Sequence, residues 1–460
     1  MRLFLPVLLS LVLAMPATAE VKVPQSQTEI SLSFAPLVKE AAPAVVNIFA
    51  NRIVQQSESP FRGNPLFEEL FRGFGQSQPR VQNSLGSGVI VSDDGIVVSN
   101  YHVVGMATEI RVVLTDRREF EAEILLADQD SDLAILKINA DTPLPHLDFR
   151  DSDEVEVGEL ALAIGNPFGI GQTVTSGIVS GLARSGTATG NARGYYLQTD
   201  AAINPGNSGG ALVDVSGRLI GINTSILTRS GGSNGVGFAI PANLVARYVE
   251  QARAGNDSFT QAWAGIFGQA VDSSLAEGFG LSVPEGVVIS SMHPVSPFAE
   301  AGLALGDIVL SVDGQPVNSP PEMLFRMSVR PVGEAIAVEY LSDGEVKEAE
   351  VALIEAPDTP PRDARMVQDG TLAGLAVANI NPAVQSELNL PTAIFEGVVV
   401  TEVSGPLARV GLRAGDVLVA INGDEIETTA DVEEASDARS RNWRIDGLRG
   451  GQRFSYRFRI

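Results

Sequence analysis

The chain is 460 residues long, 44% hydrophobic and only 19% charged, which describes a folded protein too large for one core; two to four domains are expected. Its formal charge of −24 disfavours nucleic acid and anionic lipid as partners. The sequence has no cysteine, which excludes disulfides, thiolate catalysis and cysteine-bound metals, and its three histidines stand far apart, so no metal or other cofactor is expected.

Residues 1–19 read as a signal peptide. Arg2 gives a minimal positive start, 3–15 is an apolar run, and Ala17-Thr18-Ala19 offers a small-residue cleavage site before Glu20. Cleavage there would remove Arg2 and carry the charge from −24 to −25. A membrane anchor is the rival reading. The apolar run falls short of the roughly 20 residues that span a bilayer, and no later stretch is long and apolar enough.

Residues 34–50 predict a short helix followed by a strand. The stretch 55–80, rich in Ser, Gln, Gly and Pro, encloses an aromatic island at 61–74. It reads either as a loop tucked beneath its own domain or as a contact with another subunit or with the active site. From Ser84 the pattern turns to β-structure. Segments 87–92 and 96–100 flank the hairpin signal Asp94-Gly95, and further strands are predicted at 109–114, 120–127 and 133–138. His102 falls at a strand end, and Asp132 follows the turn 128–131 at the mouth of an apolar run; taken singly, each reads as structural. A polar connection follows at 150–157. Residues 199–212 then read TDAAINPGNSGGAL, with Ser208 among glycines at a tight bend. Glycine permits backbone angles closed to other residues, and N–H groups at such a bend can converge on one point, as an oxyanion hole requires.

Order and spacing lift these residues above their bland readings. His102, Asp132 and Ser208 follow one another 30 and then 76 positions apart. That is the order of chymotrypsin-like proteases, distinct from the subtilisin and α/β-hydrolase orders, and no GxSxG elbow is present. Many short strands without regular helix alternation predict a mainly β fold built on a pair of β-barrels. SNYHVV around His102, DSDLAILK around Asp132 and TDAAINPGNSGG around Ser208 resemble the HtrA/Do-type serine proteases of the DegP/DegQ kind. GNPFGIGQTVTSGIVS at 165–180 and GVGFAIP at 235–241 match as well. The resemblance implies a periplasmic enzyme with a chymotrypsin-like double β-barrel protease domain over 20–256.

The chemical roles follow from the residue types. Ser208 would attack the scissile carbonyl, His102 would take its proton and pass it to the leaving amine, and Asp132 would fix the imidazole tautomer. The N–H groups of Gly206 and Ser208, with Asn207 as a third candidate, would bind the oxyanion. The cleft between the barrels would then be the site. Family resemblance implies that the loops 182–193 and 223–234 shape substrate entry. Thr224, Ser225, Ile226, Leu227 and Thr228 would pair with an extended substrate as a strand. Ile203 and Val236 would line a small apolar pocket that favours cuts after Val, Ala or similar residues.

Beyond a helix predicted at 241–254 and a short linker at 255–258, the chain repeats itself. AGLALGDIVLSVDGQPV at 301–317 aligns with VGLRAGDVLVAINGDEI at 410–426, an offset of 109 that suits tandem domains rather than a solenoid. Each copy has an upstream apolar strand, at 286–290 and 397–401. The copies resemble PDZ domains, expected at 259–356 and 370–460 with a linker at 357–369. In the first, Gly265, Ile266, Phe267 and Gly268 would form the carboxylate loop, and Phe267, Gly268, Gln269, Ala270 and Val271 the peptide-binding edge. Ala264 stands where relatives often carry a basic residue, so capture would rest on backbone donors. Leu372-Ala373-Gly374-Leu375 is a looser match in the second copy, which reads equally as a structural and assembly module. His146 and His293 lack partner motifs and read as structural or surface residues.

The leading expectation is an ATP-independent serine endopeptidase that degrades unfolded envelope proteins, since no Walker motif is visible. The resemblance implies C-terminal peptides as ligands, a homotrimer or larger homo-oligomer, and chaperone activity. Two rivals stand beside it: a chaperone or peptide-binding scaffold in which proteolysis is secondary, and an anchored regulatory protease with one substrate. The second PDZ copy counts against the latter.

Overall fold

The computed structural model describes residues 33–54, 80–166, 171–185, 195–204, 206–226, 234–388, 390, 394–438 and 440–459. The expected signal peptide and the aromatic island at 61–74 lie outside the described residues. The predicted helix and strand at 34–50 appear as helix Ala35–Ala41, a short 3-10 turn Ala42–Ala44 and strand β1 (Val45–Val54).

With β2 (Arg80–Ile90), β3 (Ile96–Ser99), β4 (Glu109–Val113), β5 (Glu119–Asp128) and β6 (Leu133–Ile138), β1 closes a six-stranded antiparallel barrel in the order β1-β2-β3-β6-β5-β4. A second closed barrel runs β10-β11-β12-β9-β8-β7. It is made of β7 (Leu160–Gly165), β8 (Thr173–Ser185), β9 (Tyr195–Thr199), β10 (Ala211–Val213), β11 (Leu219–Ile226) and β12 (Gly237–Pro241). Closure leaves no edge strand open to aggregation. Side chains alternate across a strand, and both faces of several strands are apolar here. In β6, Ala134, Leu136 and Ile138 fill the first barrel, while Leu133 and Ile135 join a core shared with the second. In β7, Ala161 and Ala163 fill the second barrel, while Leu162 and Ile164 face that shared core. Helix Ala242–Arg253 seals it with Val245, Tyr248 and Val249, and Pro241 stands at its N-cap.

The connecting segment is also tied to the second barrel. Arg150, on the connecting segment, contacts Glu159 at 2.6 Å and the buried Asp214 at 3.4 Å, while Phe149 bridges Leu219 of β11.

Two further sheets follow. The first holds β13 (Ile266–Ala270), β14 (Val287–Met292), β15 (Ile308–Val312), β16 (Gln315–Pro316), β17 (Ala335–Ser342) and β18 (Glu345–Ala352). The second holds β19 (Arg365–Met366), β20 (Leu375–Asn379), β21 (Val398–Val403), β22 (Val417–Ile421), β23 (Asp424–Glu425), β24 (Asn442–Arg449) and β25 (Gln452–Arg459). The sequence offset of 109 recurs between β15 and β22 and between β16 and β23. The second copy differs by one strand, β19, which lies in the segment expected to be linker.

Candidate active site

His102 does not end a strand. Beyond β3 the chain turns through the single helical turn Tyr101–Val104, which lifts the imidazole out of the barrel and leaves it 51% exposed. The same segment fixes Asp132. Asn100 Nδ2 and the Tyr101 N–H both donate to the Asp132 carbonyl, at 2.9 and 3.1 Å. Asp132 sits in the left-handed region at φ 57°, which a short polar side chain tolerates. Behind it, Asp128 accepts from Asp130 N–H, Ser131 N–H and Ser131 Oγ, which closes the predicted turn. Tyr248 Oη, from the Ala242–Arg253 helix, also donates to Asp128.

The Asp132 carboxylate accepts from the His102 backbone N–H at 3.0 Å and from Nδ1 at 2.8 and 2.9 Å. An ionised carboxylate only accepts, so this contact places the imidazole proton on Nδ1 and leaves the Nε2 lone pair free. Thr224 Oγ1 is a further donor to Asp132, at 2.6 Å. The Thr224 carbonyl in turn accepts from Ser208 Oγ at 3.0 Å. Residues 102, 132 and 208 are thus joined across the two barrels through Thr224, and the serine hydroxyl points at a carbonyl rather than at the imidazole. Thr224 lies where the β11–β12 register shifts, between Asn223 and Ile226.

The loop around Ser208 is closed by glycines. A Cβ on Gly209, at φ 81°, would lie 2.1 Å from the Ser87 carbonyl, and one on Gly210 would lie 2.3 Å from the Ile164 carbonyl. The Asn207 N–H donates to Asn204 O at 3.0 Å and the Gly209 N–H to Asn223 O at 2.8 Å. Of the three expected oxyanion amides, the Asn207 N–H is engaged within the turn, while no bond from the Gly206 or Ser208 N–H appears among the described residues.

Of the expected specificity residues, Ile203 is buried at 1% exposure, and its side chain contacts the position a Cβ on Gly237 would take. Val236 is half-buried and packs against the core shared by the two barrels, while Ile203 belongs to the second barrel's own core. Ser225 and Ile226 end β11, while Leu227 and Thr228 lie outside the described residues. Of the two expected entry loops, residues 186–193 and 227–233 likewise lie outside them. His146 is an exposed residue 4.0 Å from Asp148. Sequence reasoning missed Ser87, whose hydroxyl meets the Ser208 loop; a serine between two glycines in an apolar strand is its only local signal.

In the first PDZ-type unit, β13 pairs with β14 alone, so its other side is an open edge. Gly265, Ile266, Phe267 and Gly268 line a cavity of about 320 Å³, whose far wall includes Met323 and Leu324 of helix Pro320–Ser328. Gln269 and Ala270 complete the strand and Val271 follows it. Leu390 and Phe395 of the second unit also line this cavity, and Phe395 meets His293 edge-on at 5.3 Å. His293 is therefore an interdomain contact. In the second unit the matching strand, β20, has no open edge, because β19 pairs with it at Arg365↔Val377 and Met366↔Ala376. The Gly374 N–H donates to Val367 O, and the Asn379 N–H to Arg362 O.

A double barrel that joins a serine, an imidazole and a carboxylate across its seam, followed by two such sheets, defines a trypsin-like serine peptidase with paired PDZ domains. Family models agree: the trypsin-like peptidase domain matches residues 86–222, and PDZ domains match 262–353 and 399–440. A probable periplasmic serine endoprotease, DegP-like, from Halomonas elongata is 40% identical over 423 residues, 87% of each chain. The periplasmic pH-dependent serine endoprotease DegQ of Escherichia coli K12 is 36% identical, covering 91% of this chain and 90% of that one. The solved HtrA-type protease AlgW with a decapeptide aligns with a TM-score of 0.53 at 38% identity, over 72% of this chain and 100% of that one. The chain belongs to the DegP/DegQ family of periplasmic serine endoproteases.

Proposed function

We propose that His102, Asp132 and Ser208 cleave peptide bonds in unfolded proteins of the periplasm, without nucleotide hydrolysis. The observation that supports this most is the hydrogen-bonded circuit of His102, Asp132, Thr224 and Ser208. Rotation of the Ser208 side chain from Thr224 O towards His102 Nε2 readies the nucleophile. Oγ attacks the carbonyl carbon as its proton passes to Nε2, and the carbonyl oxygen takes its negative charge onto the Gly206 and Ser208 N–H groups. The imidazolium, held by Asp132, then protonates the departing amine. Water repeats the sequence on the acyl-enzyme.

The strand end at Thr224–Ser225–Ile226 runs beside the substrate, and Ile203 with Val236 bounds a small apolar specificity pocket. Profiling of cleavage sites in an unfolded protein is expected to show cuts after Val, Ala and similar residues; predominant cutting after Lys or Arg would refute the pocket. The open β13 edge takes C-terminal peptides, while the second unit serves assembly. Ser208→Ala separates the readings of the whole protein. Loss of casein cleavage with retained suppression of aggregation supports an endopeptidase that also holds clients, and retained cleavage would remove Ser208 from the chemistry. Mass measurement with and without unfolded substrate tests the trimeric or larger assembly.

A further inference from the structure

We propose that Ser87 is a positioning residue that holds the oxyanion amides in place across the barrel seam; this rests on the roles given above to Gly206 and Ser208. Ser87 lies on β2 of the first barrel and is fully buried. Its hydroxyl donates to the Gly206 carbonyl at 2.6 Å and accepts from the Asn166 N–H at 2.8 Å. Its own N–H donates to the Ser208 carbonyl at 3.0 Å. One residue of one barrel thus grips two carbonyls of the loop that the other barrel presents.

The backbone groups between these grips are paired in turn. The peptide unit from Gly206 to Asn207 is bonded at its oxygen by Ser87 and at its nitrogen by Asn204 O. The unit from Ser208 to Gly209 is bonded at its oxygen by the Ser87 N–H and at its nitrogen by Asn223 O. Between them, the Asn207 carbonyl accepts from the Gly210 N–H at 2.9 Å. No hydrogen bond from the Ser208 N–H of that middle unit, or from the Gly206 N–H, appears among the described residues, which leaves both for the oxyanion role proposed above. Gly206 sits at φ 99°, where glycine rotates readily and holds no geometry by itself. Beside the bond from Asn207 to Asn204 within the loop, the Ser87 hydroxyl supplies the constraint on the Gly206 carbonyl from outside it.

Ser87→Ala keeps the N–H that holds Ser208 and removes only the hydroxyl grip on Gly206. It should lower kcat by about 10- to 100-fold, less than the roughly 10²–10³-fold loss from deleting an oxyanion donor outright, with little change in KM. A peptide aldehyde, whose hemiacetal oxygen occupies the oxyanion position, should lose affinity by the same factor, while a cleaved peptide product binds unchanged. Ser87→Cys, of similar volume with a weaker donor, should fall between the two and covers poor folding of the alanine variant. Ser152→Ala removes another buried hydroxyl of this domain, bonded to the Asn243 N–H, and should leave kcat unaltered. Wild-type kcat in Ser87→Ala, or a lowered kcat with unchanged aldehyde affinity, would overturn the proposal. Indifference of the wild-type enzyme to the aldehyde would instead remove the oxyanion reading itself, and this one with it.

Discussion

The hydroxyl of Thr224 bears on the same carboxylate that orients His102, so its loss acts through Asp132 and not through substrate contact. A hydrogen bond to a charged group is worth about 1.5–3 kcal/mol. Thr224→Val should therefore lower kcat by about 10- to 100-fold at nearly constant KM, and Thr224→Ser should restore it; steady-state kinetics on a small peptide substrate read both. Asp132→Asn should lose on the order of 10⁴ in kcat, because an amide that donates towards Nδ1 moves the imidazole proton to Nε2. These residues were legible in the sequence to different degrees. The glycines around Ser208 announce themselves because exclusion of a Cβ is a local matter. Ser87 does not, since its partner Gly206 lies 119 positions away and only barrel packing brings the two together. The pattern around Thr224 reads as a substrate strand; nothing local foretells the second duty of its hydroxyl, because Asp132 lies 92 positions away.

Among the elements, the segment joining the barrels carries a testable weight. Arg150 hydrogen-bonds Glu159 and reaches Asp214, whose side chain is 3% exposed. Arg150→Met leaves Asp214 buried without this cation and should destabilise the protein by about 3 kcal/mol, read as a lower urea midpoint. The hydrogen bond from Arg150 also holds Glu159 below the usual carboxylate range. A depressed carboxyl contributes stability that is complete above its unfolded value, about 4.3, and drains away as pH falls below it. The variant should accordingly lose stability less steeply than wild type on acidification through that range. The barrel strands were readable because apolar alternation and turn residues repeat along them. The two-residue strand β19 was not, because a short strand in a charged, proline-containing stretch has no alternation to show. Its presence predicts that titration with a C-terminal peptide finds one site per chain; two equivalent sites would show that residues 362–367 yield β20 to the ligand.

At the scale of the whole molecule, the domains lean on one another through aromatic contacts. Tyr195 of the second barrel stacks on Phe325 of the first PDZ domain at 3.9 Å, and Arg326 of the same helix pairs with Asp153. His293 stands between Trp263 and Phe395 at the mouth of the peptide cavity, and burial holds its imidazole below the usual range. A base lowered in this way gives stability that is complete above about 6.5 and is lost as pH falls below that value. Acidification from about pH 7.5 to about pH 5.5 should loosen this contact. Trp263 emission should report it, because the other tryptophan, Trp443, is buried in the second PDZ domain. His293→Gln should flatten the response.

The shared wall of that cavity makes ligand capture and domain arrangement one equilibrium. A peptide that needs the space beside Leu390 and Phe395 binds only the fraction of chains in which the second unit has swung aside, and its apparent dissociation constant is the intrinsic one divided by that fraction. By reciprocity, peptide saturation must drive the two units apart with the same free energy. Tethering them would then weaken the peptide's grip without a single groove residue being changed.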